Sequence, residues 1–146
     1  MTEAFSNENI FQREPLSISQ KQLWTGRVIS GFATLFMLFD GVAKLFKPVS
    51  VLEGCARLGY PESTIVGIGI SMLICTLLYV VPRTAILGAV LVTGYLGGAV
   101  ASNIRVRAGW FETAFPILFA CLVWGGLWLR DNRLHILLAA PAGPAK

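Results

Sequence analysis

The chain has 146 residues, of which 55% are hydrophobic and only 14% are charged, and its formal net charge is +4. A soluble domain usually carries about 25% charged residues, so too few charges are present here to cover a surface that faces water. The mean hydropathy of +0.67 indicates a membrane protein, and the basic residues form no cluster interleaved with aromatic residues of the kind that binds nucleic acid.

The first 22 residues are polar, contain acids, bases and a proline, and show no helical periodicity. They predict a loose tail. This stretch lacks the basic start, the apolar core and the small-residue cleavage pattern of a signal peptide. A membrane domain is predicted over residues 23–134, followed by a C-terminal tail over residues 135–146.

Four apolar segments follow the tail, and each is suited to crossing a membrane as a helix. They comprise residues 24–46, 63–82, 84–104 and 113–129. A spanning helix needs about 20 mostly apolar residues, because the hydrocarbon core is about 30 Å thick. The last three segments contain no charged residue, so they lack the polar stripe that a helix of a soluble bundle presents to water. The sequence therefore predicts an all-α fold, a four-helix transmembrane bundle in contact with the lipid bilayer.

The connections between these segments predict how the helices are ordered in the membrane. Pro82 and Arg83 alone separate the second and third segments, which predicts a tight antiparallel pair. The first connection, residues 47–62, is long enough to hold a short interfacial helix.

Charge predicts the orientation, because Lys and Arg accumulate on the cytoplasmic side. The side that holds both termini and the 82–83 turn has seven such residues, and the opposite side has five. The seven are Arg13, Lys21, Arg27, Arg83, Arg130, Arg133 and Lys146, and the five are Lys44, Lys47, Arg57, Arg105 and Arg107. The predicted orientation therefore places the N- and C-termini in the cytoplasm.

Small residues recur every four positions along the predicted helices. The third segment has Ala85, Ala89, Thr93, Gly97 and Ala101 in one row and Gly94, Gly98 and Ser102 in another, and the second has Gly67, Ser71 and Cys75. Small residues allow helices to approach closely in lipid, so the third helix is predicted to be central and to pack on at least two others. Two alternatives are that small residues are simply common in membrane spans, or that the G-x-x-x-G pattern forms a homodimer.

Four polar side chains fall where the first and third predicted helices end, on one side of the membrane. They are Asp40 and Lys44, one helical turn apart, and Asn103 and Arg105. One interpretation is structural: Asp40 ties its helix to Arg105 or Asn103, while Lys44 extends to the lipid headgroups. The other is a pocket for a small polar ligand, because ionisable side chains within spans are costly and often functional. The candidate wall residues of that pocket are Tyr60, Met72 and Trp110.

The sequence contains no motif typical of a metal-binding or nucleotide-binding site. Cys55, Cys75 and Cys121 form no C-x-x-C pair, and the single histidine, His135, follows the last apolar segment. These spacings exclude the usual zinc, haem and dithiol patterns. No glycine-rich nucleotide loop is present either, so no catalytic residue can be assigned.

Several stretches resemble the DoxX-like family of small four-helix bacterial membrane proteins. They are LFDGVAKLFKP, LGYPES, LLYVVPRTAILGAVLVTGYLGGAVASNIRV and WGGLWLRDNRL. The resemblance implies a four-span bundle in a bacterial inner membrane and an association with a quinone-reducing oxidoreductase. A quinone ligand is implied by the resemblance only. Met72 and Asn103 depart from the family pattern, in which many relatives carry a glutamate and a histidine at these positions, so proton-coupled redox chemistry is not carried over.

Three functions are compatible with these observations. The favoured one is an accessory or small-ligand-binding component that works with a membrane oxidoreductase, with an oxidoreductase subunit or a second copy as partner. The first alternative is an enzyme that acts on a quinone or lipid-like substrate through the polar cluster. The second is a small-molecule transporter, which would need a dimer, because four spans are few and no span is broken at mid-depth.

Overall fold

The computed structural model describes residues 19–131 and 133–134. These ranges form five helices and no strand: α1 (Gln20–Phe46), α2 (Val49–Arg57), α3 (Glu62–Val80), α4 (Ala85–Arg105) and α5 (Trp110–Arg130). All but α2 are long and apolar enough to cross a membrane. The predicted all-α bundle of four spanning helices is confirmed, and the short helix predicted in the first connection is α2.

The first spanning helix begins earlier than the sequence pattern predicts. The backbone N–H of Ser19 donates to the side-chain oxygen of Gln22 at 3.1 Å, which is one half of a capping box. Residues 20–22, predicted to belong to the tail, therefore form the first turn of α1. The rest of that tail, residues 1–18, and the predicted C-terminal tail, residues 135–146, lie outside the described residues.

The four spanning helices form a ring in which each packs mainly on two neighbours. α1 packs on α3 and α5, and α4 packs on the same two helices, so α1 and α4 lie diagonally opposite each other. The expectation that α4 packs on two helices is met. It is no more central than α1, however, because both have the same two neighbours.

The bundle is tightest near the turn that joins α3 and α4. A methyl group added at Gly88 would collide with the backbone nitrogen of Tyr79, so the two backbones touch as the predicted antiparallel pair. Tyr79 is fully buried. Its hydroxyl lies 2.9 Å from the carbonyl oxygen of Val123 and 3.0 Å from the hydroxyl of Ser30. One side chain thus joins α3, α1 and α5, and the core of this half is closed around it.

Candidate binding cavity

The opposite half of the bundle encloses a cavity of about 700 Å³, named here the bundle cavity. It lies among all four spanning helices, at the end where α2 crosses. Its lining includes Phe36, Met37, Asp40 and Lys44 from α1, Met72 from α3, Tyr95 and Ser102 from α4, and Phe115 and Phe119 from α5. A volume of this size is typical of small-molecule sites, which span about 300–1,000 Å³.

The bundle cavity exists because α3 and α4 separate as they leave their turn. The two backbones are in contact at Gly88, but a methyl group added at Gly67, Gly94 or Gly98 would meet no atom within 4 Å. All three glycines are exposed and line the cavity. The row of small residues at Gly94 and Gly98, expected to pack against another helix, borders open space instead.

Aromatic rings form the wall of the cavity on the side of α1 and α5. The ring of Phe36 lies 4.3 Å from that of Phe119 and 5.5 Å from that of Phe115, centroid to centroid. Phe115 and Phe119 are 4.8 Å apart. Mutual contacts of this kind hold aromatic rings in fixed orientations, so this wall is a preformed apolar surface.

A proline in the same wall explains the position of Asn103. Pro116 lies inside α5 and has no backbone N–H, so the carbonyl of Glu112, four residues earlier, lacks its helical donor. The side-chain amide of Asn103 donates to that carbonyl oxygen at 2.8 Å. Asn103 therefore joins the end of α4 to the start of α5.

α2 and the turn after it cover the end of the bundle cavity. The hydroxyls of Tyr60 and Ser102 are 2.6 Å apart, and the guanidinium of Arg105 donates to the carbonyl oxygen of Leu58 at 2.6 Å. Lys47 and Glu62 form an ion pair at 3.1 Å across the ends of this connection. The cover is thus fastened to α4 by two hydrogen bonds, one of which uses an arginine.

Asp40 and Lys44 form an ion pair where two cavities meet. The ammonium of Lys44 donates to a carboxylate oxygen of Asp40, and the two side chains are 14% and 35% exposed, respectively. Both also line a second space of about 690 Å³, named here the polar cavity. Its other lining residues include Arg57, Asn103, Arg107 and Glu112. The pair therefore separates an apolar space from a charged one.

Cys55 lines both cavities beside this ion pair and is a free, buried cysteine. Burial raises the pKa of the Cys55 thiol above its ordinary value; the nearby Lys44 opposes this effect and Asp40 adds to it. A raised pKa keeps the sulfur protonated near neutral pH. Within the described ranges, no group of three or more His, Cys, Asp or Glu side chains could hold a metal ion.

The seven residues predicted for the site, four polar ones and three wall residues, separate into three groups. Asp40, Lys44, Tyr60 and Met72 line the bundle cavity, and Asn103 lines the polar cavity. Arg105 and Trp110 line neither; Arg105 bonds the cover, and Trp110 is 82% exposed. The structural tie expected between α1 and α4 does not form: of the residues that the structure describes, only Lys44 bonds Asp40. The physical reason is that α1 and α4 are diagonal in the ring.

The cavity also contains residues that sequence reasoning did not select. They include Tyr95, Cys55 and the three phenylalanines of the wall. An apolar ring on a membrane helix has the same pattern whether it faces lipid, core or cavity. Of these residues, Tyr95 could have been selected from the sequence, because its polar hydroxyl falls in the middle of a span that has no charged residue.

Comparison with known families matches residues 28–126 to a family described as the DoxX-like family. The match covers more than half of the chain and includes all of α3 and α4 and most of α1 and α5. No curated protein and no solved structure matches the chain.

Proposed function

The chain belongs to the DoxX-like family and is a multi-pass integral membrane protein, and from this premise we propose that it binds a small amphiphilic molecule in the bundle cavity. The observation that carries the proposal is the cavity of about 700 Å³ inside the spanning bundle, apolar along its wall and polar at one end. We place the protein in a bacterial inner membrane, with both termini in the cytoplasm, as an accessory component of membrane oxidoreductase chemistry. The link to oxidoreductase chemistry comes from the family resemblance.

The lining indicates the chemistry of the ligand. Phe36, Phe115 and Phe119 offer an apolar surface to a hydrocarbon chain or a flat ring. The carboxylate of Asp40 and the hydroxyl of Tyr60, at the covered end, offer hydrogen bonds to a compact polar head. Quinones and short lipids belong to this class of molecule.

Two features favour binding over the catalytic and transport alternatives. The polar cluster proposed for catalysis is dispersed, because Asn103 and Arg105 are engaged with backbone carbonyls of Glu112 and Leu58. The half of the bundle around Tyr79 is closely packed, so a molecule in the bundle cavity meets a closed end. Both features suit a site that holds its ligand.

The first experiment is to purify the full chain in mild detergent with native lipids and to identify the bound molecules by mass spectrometry. A matched pair of variants tests whether a bound molecule occupies the bundle cavity. Ala99 lines the cavity, whereas Ala101 lies two residues on, is exposed and is not part of the lining. Ala99→Phe should remove the bound molecule, and Ala101→Phe should retain it.

Each result has a defined meaning for the proposal. A molecule that is present in the native protein and in Ala101→Phe but lost from Ala99→Phe would support binding in the cavity. Native protein that carries no molecule, or a molecule that Ala99→Phe retains in full, would contradict it. A redox subunit or a second copy of the chain that co-purifies in fixed ratio would identify the partner.

A further inference from the structure

We propose that the ligand enters the bundle cavity sideways from the bilayer, through a gap between α3 and α4, and is therefore a membrane-dissolved amphiphile with an uncharged head. The inference rests on the proposed function, since it concerns access to that same cavity. The side gap is bounded by Gly67 and Ser71 on α3 and by Gly94 and Gly98 on α4. All four residues are accessible and line the cavity.

The antiparallel course of the two helices places these four residues at one level. α3 and α4 touch at their turn, where Gly88 meets the backbone of Tyr79. Gly94 and Gly98 lie two to three turns farther along α4, and Ser71 and Gly67 lie a similar distance back along α3. No atom lies within 4 Å of a methyl group added at Gly67, Gly94 or Gly98, and all three glycines line the cavity, so open space lies beside them at this level.

Each of the other boundaries between neighbouring spanning helices is bridged by a side-chain or backbone contact. Between α1 and α3, a methyl group added at Gly69 would lie 2.9 Å from the carbonyl oxygen of Gly41. Between α1 and α5, the rings of Phe36 and Phe119 are in contact. Between α4 and α5, the indole N–H of Trp124 donates to the hydroxyl of Thr93 at 2.8 Å. At the side gap, by contrast, residues of both helices border the cavity without such a contact, and this favours it as the route from lipid.

The chemistry of the side gap selects against charged molecules. None of its four bounding residues is charged, and the hydroxyl of Ser71 already donates to the carbonyl oxygen of Gly67 at 2.9 Å. The nearby hydroxyl of Thr64 donates to the carbonyl oxygen of Pro61 at 2.8 Å. No polar group at the gap therefore needs a partner from the ligand. A charged head would pass the side gap without a group of opposite charge to stabilise it, and an unpaired charge in lipid is costly.

Cys55 provides a natural reporter of access, because it lines both the bundle cavity and the polar cavity. In a Cys75→Ala/Cys121→Ala background, Cys55 is the one remaining cysteine. The protein is reconstituted into phosphatidylcholine vesicles. Its alkylation is followed with N-(1-pyrenyl)maleimide, which dissolves in the bilayer, and separately with a sulfonated, water-soluble maleimide. Alkaline buffer is used, because burial raises the pKa of this thiol.

Leucine at the side gap is compared with leucine at a neighbouring glycine. Gly98→Leu and Gly94→Leu place a side chain in the gap, whereas Gly97→Leu places one on an exposed surface outside the cavity lining, also with no atom within 4 Å. We expect the two gap variants to slow pyrenylmaleimide labelling by about tenfold, which corresponds to about 1.4 kcal/mol in the barrier. Labelling by the water-soluble reagent should be unchanged, and Gly97→Leu should change neither rate.

Three outcomes would overturn the proposal. Pyrenylmaleimide could fail to label Cys55 in the background protein, or could label the gap variants as fast as Gly97→Leu. Both reagents could also be slowed equally, which would mean that leucine acts on the cavity as a whole. Replacement of glycine by leucine favours a helix by several tenths of a kcal/mol or more, and the use of two gap variants covers the failure of one to fold. This assay needs no natural ligand, so its result is separate from the mass-spectrometric test of the proposed function.

Discussion

Asn103 hydrogen-bonds a carbonyl oxygen that Pro116 leaves without its helical donor. We expect Asn103→Ala to lower the free energy of unfolding by about 1 kcal/mol, since the carbonyl of Glu112 then loses its partner. Pro116→Ala supplies an N–H at the position that bonds this carbonyl. In the double variant, therefore, the loss of Asn103 should cost much less than in the native background. Unfolding in mixed detergent micelles, followed by circular dichroism, measures all four proteins.

The double variant is the decisive member of this set. If Asn103→Ala costs the same with alanine as with proline at position 116, the two residues are not coupled, and Asn103 acts through some other contact. Thr113→Ala serves as a control on the same turn, because the Thr113 hydroxyl bonds the carbonyl of Gly109, the residue just before its own helix.

A second prediction at the scale of single residues concerns the stability of variants that remove one or both charges of the Asp40–Lys44 pair. Lys44 is only 14% exposed, so Asp40→Asn leaves a largely buried ammonium without its carboxylate. We expect a lower melting temperature for this variant, with a loss of about 1–3 kcal/mol. Asp40→Asn/Lys44→Met removes both charges and should recover most of that stability. Thermal unfolding in detergent checks this order.

Ligand retention separates a binding role of the pair from a purely structural one. If the carboxylate of Asp40 contacts the head of the ligand, both the single and the double variant should lose the co-purified molecule. A double variant that is stable and still carries the full amount would show that the pair is structural only. Lys47→Met is a useful control, because its ion pair with Glu62 lies outside the lining of both cavities.

At the scale of helices, the same residue type has opposite roles at two places on α4. Gly88 touches the backbone of Tyr79, whereas Gly94 faces open space two turns away. We expect Gly88→Ala to destabilise the protein by several kcal/mol or to prevent its folding, because a backbone cannot move aside as a side chain can. Gly94→Ala should be neutral or stabilising by up to about 1 kcal/mol. Size-exclusion profiles and melting temperatures in detergent distinguish the two.

A Gly88→Ala protein as stable as Gly94→Ala would show that α3 and α4 are not in contact at their turn. The contact from which α3 and α4 diverge toward the side gap would then be absent. The comparison is matched, because both glycines lie in the same helix and receive the same methyl group.

Apolar run length was sufficient to predict which segments are helices, but the spacing of small residues did not show which glycines are contacts. Hydropathy identified all four spans, because a run of about 20 apolar residues in lipid satisfies its backbone hydrogen bonds by forming a helix. Gly88 and Gly94 are both glycines of α4, and only their neighbours in the folded bundle distinguish them. Asp40 and Lys44 were selected because charge is rare in spans. Phe36 and Phe119 were missed because apolar rings are common there.

For the whole molecule, the two halves of the bundle differ in packing. Around Tyr79 the helices are in close contact, and at the other end they separate around a cavity that α2 covers. Tyr60 and Arg105 fasten this cover to α4. The Lys and Arg count predicts that the open half faces away from the cytoplasm. The orientation therefore determines on which side of the membrane the polar cavity meets water.

The orientation is a prediction that two cysteine positions can test. Glu53 on α2 and Pro82 in the α3–α4 turn are both exposed, and neither contributes to the Lys and Arg count. Glu53→Cys and Pro82→Cys are made in a background with alanine at positions 55, 75 and 121. A membrane-impermeant maleimide is then added to spheroplasts of an expressing bacterium. We expect Glu53→Cys to be labelled at once and Pro82→Cys only after the membrane is permeabilised, because seven basic residues against five favour cytoplasmic termini. The reverse labelling pattern would place α2 and the polar cavity on the cytoplasmic side. A soluble partner that binds this end of the bundle would then have to be a cytoplasmic protein or small molecule.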